Sequence, residues 1–495
     1  MNDKITVQIC EKSMSGEITA EISMPDYEPE IRRLLRVGLT LTPPAGFSDT
    51  SRIGMNGEAI FDILYAGNDG ALYSTRARES YELTEALKPS EKGAEITAVI
   101  GDVTPESLIS RASAPRKISL RCKLRGHARG FGDEEITERA TYIENPDSIE
   151  RLGGESEYTY IFPSAFAEAT LSDDFTAELP TDVSGDVRVI SYSAAAVFED
   201  IEPARDEAVV KGSLNLSILA SVDDTDSMPF RLTRKIPFAE VVDADGLEPT
   251  CKCVASICCT DCGFTVEENR IFCEPTIVIR LDAEENRRVE YTSDVYSTEV
   301  FSDSTTKRYE FPLLEKVFTG NFTASLRESL EDLGIDSGAT ISDATASAVV
   351  KNIENNANKL SFVGETTLNI LTNNGDEYLL KEIKVPFKYD VNESENAPFF
   401  TDCHIVALTP RAKIDNGRLL CDCELHICGR SYTKAEVEAI DEVIFGENIE
   451  RDDATTVCFP SPTDTLWDIS KRYHIPTEAI FSQESRLKAG EAIIF

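Results

Sequence analysis

The sequence predicts a mainly β fold: three tandem antiparallel, sandwich-like domains followed by a small βααβ module. Three observations carry this. One segment recurs: Gly57-Glu-Ala-Ile-Phe-Asp-Ile-Leu-Tyr65, Gly212-Ser-Leu-Asn-Leu-Ser-Ile-Leu-Ala220 and Gly364-Glu-Thr-Thr-Leu-Asn-Ile-Leu-Thr372 share a glycine, a large apolar residue four positions on, and Ile-Leu, at spacings of 155 and 152 residues. Within it, Leu214, Leu216 and Ile218 alternate with Asn215 and Ser217, the period of a half-buried strand. After residue 450 the pattern switches to helical spacing, with Leu466, Ile469 and Tyr473 on one stripe.

Smaller matches extend the repeat in the same order. Ile18-Thr-Ala-Glu-Ile22, Phe175-Thr-Ala-Glu-Leu179 and Phe322-Thr-Ala-Ser-Leu326 lie upstream of the glycine. Glu79-Ser-Tyr81, Ile236-Pro-Phe238 and Val385-Pro-Phe387 lie downstream. This places the copies at 1–155, 156–305 and 306–448, with the tail at 453–495. A period near 150 is too long for a solenoid repeat of ~20–50 residues, so each copy is expected to hold its own core. Asn68-Asp-Gly70 and Asn373-Asn-Gly375 follow the repeated strand and predict tight hairpin turns, because Asn, Asp and Gly tolerate positive φ. A short helix is expected at Glu28–Leu35, with Pro29 in its first turn, and Leu326–Leu333 is its counterpart in copy three. In the tail, Val457-Cys-Phe459 reads as a strand and Asp464 as the N-cap of a helix. A turn at His474–Pro476 precedes a second helix over Thr477–Phe481, and Glu491–Phe495 is a last strand.

Composition narrows the function. The 495 residues include 88 acidic and 49 basic side chains, for a net charge of −39. Such a surface repels phosphate backbones and anionic headgroups, so nucleic-acid binding is not expected. Five basic and seven acidic residues fall in 451–495, so the acidity belongs to the repeats. Met1–Glu11 lacks the apolar stretch of a secretory signal, and no window of 18 apolar residues exists. The expectation is a cytoplasmic chain without a membrane span. No Gly-x-Ser-x-Gly, P-loop or His-Glu-x-x-His is present, and His127, His404, His426 and His474 are scattered. No catalytic residue, metal ligand or cofactor is therefore assigned, and the chain is read as a non-enzyme.

Cysteines supply the densest local feature. Cys251, Cys253, Cys258, Cys259, Cys262 and Cys273 fall within 23 residues, and Cys403, Cys421, Cys423 and Cys428 echo them in copy three. Three readings stand: small buried hydrophobes on strands, a tetrahedral zinc site, or oxidative cross-linking in an assembly.

The tail segment Asp464-Thr-Leu-Trp-Asp-Ile-Ser-Lys-Arg-Tyr473, with Ile475-Pro-Thr-Glu-Ala-Ile480 and Leu487-Lys-Ala-Gly-Glu-Ala-Ile493, resembles a LysM module. That family has a βααβ fold and usually binds N-acetylglucosamine-containing glycans such as peptidoglycan. Thr463 stands where the family usually has Gly, and Glu484-Ser485 where it has Asn-Pro. The resemblance makes Thr463, Asp464, Thr465, Leu466, Trp467, Ile480, Phe481 and Glu484 the candidate partner- or glycan-binding residues. For Trp467 the other reading is a packed core aromatic. The three copies, with Met24-Pro-Asp-Tyr-Glu-Pro-Glu-Ile-Arg-Arg-Leu-Leu-Arg36 and Ala114-Pro-Arg-Lys-Ile118 in the first, resemble the SPOCS domain of spore-coat assembly proteins. That resemblance implies a scaffold in the mother-cell cytosol and at the forespore surface. It would dock through its LysM tail on the ATPase that forms the coat basement, and contact other coat proteins. A peptidoglycan-binding protein is the alternative it leaves.

Overall fold

The computed structural model describes residues 4–26, 28–175, 187–222, 228–267, 270–356, 359–375, 377–392, 398–450, 457–461, 463–481 and 493–494. Copy one runs β1 (Lys4–Ser23), β2 (Ile31–Leu41), β3 (Ala45–Ser48), β4 (Arg52–Gly67), β5 (Leu72–Ala86), β6 (Ala98–Ala114) and β7 (Lys117–Glu135). These make two sheets, β1-β7-β6 and β2-β4-β5, with β3 beside β4. A two-residue strand, β8 (Arg139–Ala140), follows. Copy two runs β9 (Ile149–Ile161), β10 (Ala165–Thr170), β11 (Asp173–Asp174), β12 (Val187–Ala204), β13 (Glu207–Val222), β14 (Phe230–Asp243), β15 (Lys252–Glu267) and β16 (Arg270–Ser297). Here β9, β10 and β11 share the place of β1 along β16, and β12-β13-β14 is the second sheet. Copy three runs β17 (Val300–Ser329), α1 (Leu330–Leu333), β18 (Thr340–Asn356), β19 (Lys359–Asn373), β20 (Tyr378–Asn392), β21 (Phe400–Ala407), β22 (Arg411–Asp415) and β23 (Arg418–Asn448). Its sheets are β17-β23-β21, with β22 and β8 also on β23, and β18-β19-β20. Every pair is antiparallel except β8 with β23. The tail adds β24 (Val457–Cys458), α2 (Leu466–Tyr473), α3 (Thr477–Phe481) and β25 (Ile493–Ile494), with β24 pairing β25.

The fold is thus mainly β, in several antiparallel sheets, and one strand plan occurs three times. The placements at 155/156 and 305/306 fall inside β9 and β17, so each sheet plan starts a few residues earlier, at Ile149 and Val300. The hairpin turns form where expected, with Gly70 at φ 83° and Gly375 at φ 96°.

The helix expected at Glu28–Leu35 is not formed; Ile31–Leu41 is β2. A β-bulge explains the false helical spacing. The register with β4 jumps between Leu34 and Arg36, so Leu35 and Arg36 are both buried and strict alternation is lost. Strands β12 and β18 carry the same bulge, between Val189 and Ser191 and between Ile341 and Asp343. In copy three the helix is only the single turn Leu330–Leu333, and Leu326–Ser329 belong to β17.

The repeated motif has a packing reason. Gly57, Gly212 and Gly364 lie directly across from Tyr81, Phe238 and Phe387. A Cβ at Gly212 or Gly364 would sit 2.6 or 2.3 Å from the aromatic ring and 2.3 or 2.2 Å from a backbone carbonyl. The glycine is the seat of the ring. The Ile-Leu pair then splits. Ile63, Ile218 and Ile370 face the cores of their own copies. Leu64, Leu219 and Leu371 face the other way and meet in one cluster with the bulge residues Leu35 and Ile190. Two further clusters also draw on all three copies: Ile5, Val7, Tyr158, Val289, Tyr309 and Phe311 in one, Phe131, Ile161, Leu314, Phe400 and Tyr432 in the other. The three copies are therefore fused through shared core.

Candidate functional site

The tail is built around a small core of Cys458 and Ile469, with Leu466, Tyr473 and Ile475 packed on it. Helix α2 starts at a capping box. The Thr465 hydroxyl accepts from the Asp468 backbone N–H at 3.2 Å, and the Asp468 carboxylate accepts from the Thr465 N–H at 2.8 Å. Thr465, not Asp464, is therefore the N-cap. Asp464 instead accepts from the Ser461 N–H at 3.0 Å and pairs with Arg472 at 3.1 Å. The helix ends at His474, which takes the left-handed conformation at φ 51°.

One face of α2 seats the tail on copy two. The Trp467 indole N–H donates to Asp294 at 2.8 Å, and the Lys471 ammonium donates to the other oxygen of the same carboxylate at 2.6 Å. The Trp467 ring meets Tyr296 edge-on at 5.0 Å. Tyr296 donates its hydroxyl proton to the Ile475 carbonyl at 2.7 Å, His474 Nδ1 donates to the Ser297 carbonyl at 2.9 Å, and Thr477 donates to Glu150 at 2.8 Å. Asp294 is aimed at the tail by a register jump in β16 between Thr292 and Asp294. Burial pushes the Asp294 carboxyl up, but hydrogen bonds from Lys471, Trp467 and the Val295 N–H outweigh it and hold it below the ordinary carboxylate range.

The expected site residues are thus divided. Trp467 is 9 % exposed and faces copy two. Leu466 is half-buried in the tail core, while Thr463 and Thr465 are exposed. Ile480 and Phe481 lie in α3, with side chains outside the described residues. Glu484, Ser485 and 487–492 lie outside them altogether. Asp294 and Tyr296, which fix the tail, carry no sequence signal: they sit in another copy, where the register jump in β16 breaks the alternation.

A second constellation, also unsignalled, lies where the copies meet. Arg430 reaches Glu284, Asp402 and, at 3.3 Å, Asp282, while Tyr432 donates to Glu284 at 2.9 Å. Arg280 donates to the Pro44 and Gly101 carbonyls at 3.1 Å each and pairs with Asp282 at 3.2 Å. Burial raises the Glu284 carboxyl against the pull of Arg430, and burial depresses His404 although Asp102 and Asp402 oppose it. The set spans all three copies, and its arginine and carboxylate charges offset one another across the joint.

The cysteines lie on strands or beside them and are free thiols, eleven buried and two half-buried. Burial pushes Cys253, Cys258, Cys259, Cys423 and Cys428 up to about 12. Among the described residues no group of three or more His, Cys, Asp or Glu is placed to hold a metal, and no helix is long and apolar enough to cross a membrane. Comparison of the chain with family models, with curated proteins and with solved structures finds no match.

Proposed function

We propose that the chain is a non-enzymatic assembly scaffold of the spore coat. Its LysM-like tail docks on the coat basement ATPase at the forespore surface in the mother-cell cytosol, and its β-rich copies carry other coat proteins. The seating of the tail on copy two is the observation that carries this reading. A docking module seated on a fused platform ties the position of one partner to that of another. The strand–helix–helix–strand order of the tail and the threefold strand plan agree with the LysM and SPOCS resemblances. Peptidoglycan binding is the alternative. The burial of Trp467 against Tyr296 and Asp294 favours the protein partner, because the one indole of the tail is already engaged. Co-purification with the ATPase tests the proposal: the full chain retains it and a chain ending at residue 450 does not. Retention by the shortened chain, or saturable binding of the full chain to purified peptidoglycan with no ATPase retained, overturns it.

A further inference from the structure

Strands β7, β16 and β23 hold the same place in their copies, each the centre of the first sheet. Their solvent faces differ. On β7 the inward residues Ile118, Leu120, Cys122 and Leu124 are at most 1 % exposed. The outward ones are Lys117, Ser119, Arg121, Lys123 and Arg125. On β16 the outward run is Arg270, Phe272, Glu274, Thr276, Val278, and on β23 it is Arg418, Leu420, Asp422, Glu424. Copy one alone carries a basic stripe.

Neighbouring strands complete the face. Arg111 and Ile109 of β6 lie directly across from Ser119 and Arg121, and Ile109 is 61 % exposed. Glu17 pairs with Arg121 at 2.8 Å, Glu106 with Arg125 at 2.6 Å and Glu21 with Lys117 at 3.8 Å. Lys123 and Arg111 have no ion pair among the described residues. Five cations thus stand among three carboxylates, on a chain whose net charge is −39.

We infer that this face of copy one is a docking surface for a protein bearing an acidic ridge. Charge complementarity selects the sign of the partner. The interleaved Glu17, Glu21 and Glu106 select its kind: a uniformly anionic plane such as a lipid surface meets them as repulsion, whereas a protein side-chain pattern can place acid over Arg and Lys and a donor over each Glu. Ile109, exposed in the middle of the stripe, supplies the apolar contact that arginine-rich protein interfaces carry at their centre.

The test uses the full chain and a fluorescent octaglutamate peptide with one leucine, followed by anisotropy. The peptide binds saturably at about 50 mM salt and is released at about 500 mM, where the Debye length falls below roughly 5 Å. Arg121→Glu/Lys123→Glu/Arg125→Glu weakens binding at least tenfold, while Arg270→Glu/Arg418→Glu leaves it unchanged. A melting temperature within a few degrees of the parent shows that the variants fold. Should the triple variant misfold, Arg111→Gln/Lys123→Gln removes only the two cations without an ion pair among the described residues and weakens binding several-fold. No saturable binding by the parent, equal binding by the stripe variants, or equal loss in the Arg270/Arg418 variant overturns the inference. So does stripe-dependent binding to phosphatidylserine vesicles without peptide binding, which assigns the face to lipid.

Discussion

At Gly212 the absence of a side chain is a packing requirement. An added Cβ meets the Val197 carbonyl at 2.3 Å and the Phe238 ring at 2.6 Å, and backbone cannot give way cheaply. Gly212→Ala is expected to cost about 1–3 kcal/mol, the usual range for an overfilled core, read as a lower denaturant midpoint. Leu219 tests the other side of the same strand. It is buried against residues of copies one and three, so Leu219→Ala opens a cavity in shared core. The expected loss is about 2–5 kcal/mol. The thiols follow from burial in the same way. With several pushed up to about 12, few thiolates exist near neutral pH. An aromatic disulfide reagent should react slowly with the native chain and with all thirteen cysteines after denaturation. Fast reaction of the buried set in native protein would contradict this packing.

Among elements, α2 and its seat on β16 form the joint most open to a simple measurement. Trp467 is the chain's one tryptophan, so its emission reports the tail alone. Asp294→Ala removes the acceptor of both Trp467 and Lys471. The expected result is a red-shifted emission, easier quenching by acrylamide and an intact global melting transition. An unshifted emission would show that the seat rests on the Tyr296 and Thr477 contacts instead. Acid gives a second reading of the same joint. The Asp294 carboxyl is depressed in the folded chain, so its contribution is present above the free value of about 3.9 and is lost as pH falls through the lower folded value.

For the molecule as a whole, three clusters that each draw on all copies imply one cooperative unit. Thermal unfolding of the copies is expected as one transition with equal calorimetric and van't Hoff enthalpies. Three separate transitions would mean that the shared core contributes little. Burial depresses His127, His404 and His426 together. Their contribution to stability is present above the free imidazole value of about 6.5 and is lost as pH falls towards the lower folded values. The melting temperature should therefore drop as pH falls below about 6.5, and His404→Gln should flatten part of that slope.

Period-two alternation was enough to read a mainly β chain, Asn/Asp-Gly its hairpin turns, and the change to helical spacing the helix at Leu466–Tyr473. These are local properties: side-chain direction follows from strand pleat, and turn chemistry from which residues accept positive φ. The β2 bulge escaped that logic because one extra residue turns alternation into apparent helical spacing at Leu34 and Leu35. Asp464 was misplaced by one residue for a similar reason, since Asp464 and Thr465 both suit an N-cap and only the reach to Asp468 separates them. What the sequence could not carry is contact between distant segments. Why Leu follows Ile in each motif, why Arg430 is tolerated in a buried strand, and why Trp467 turns inward depend on partners more than 100 residues away. Such partners leave no periodicity of their own; burial and charge compensation at those positions exist only once the three copies have closed on one another.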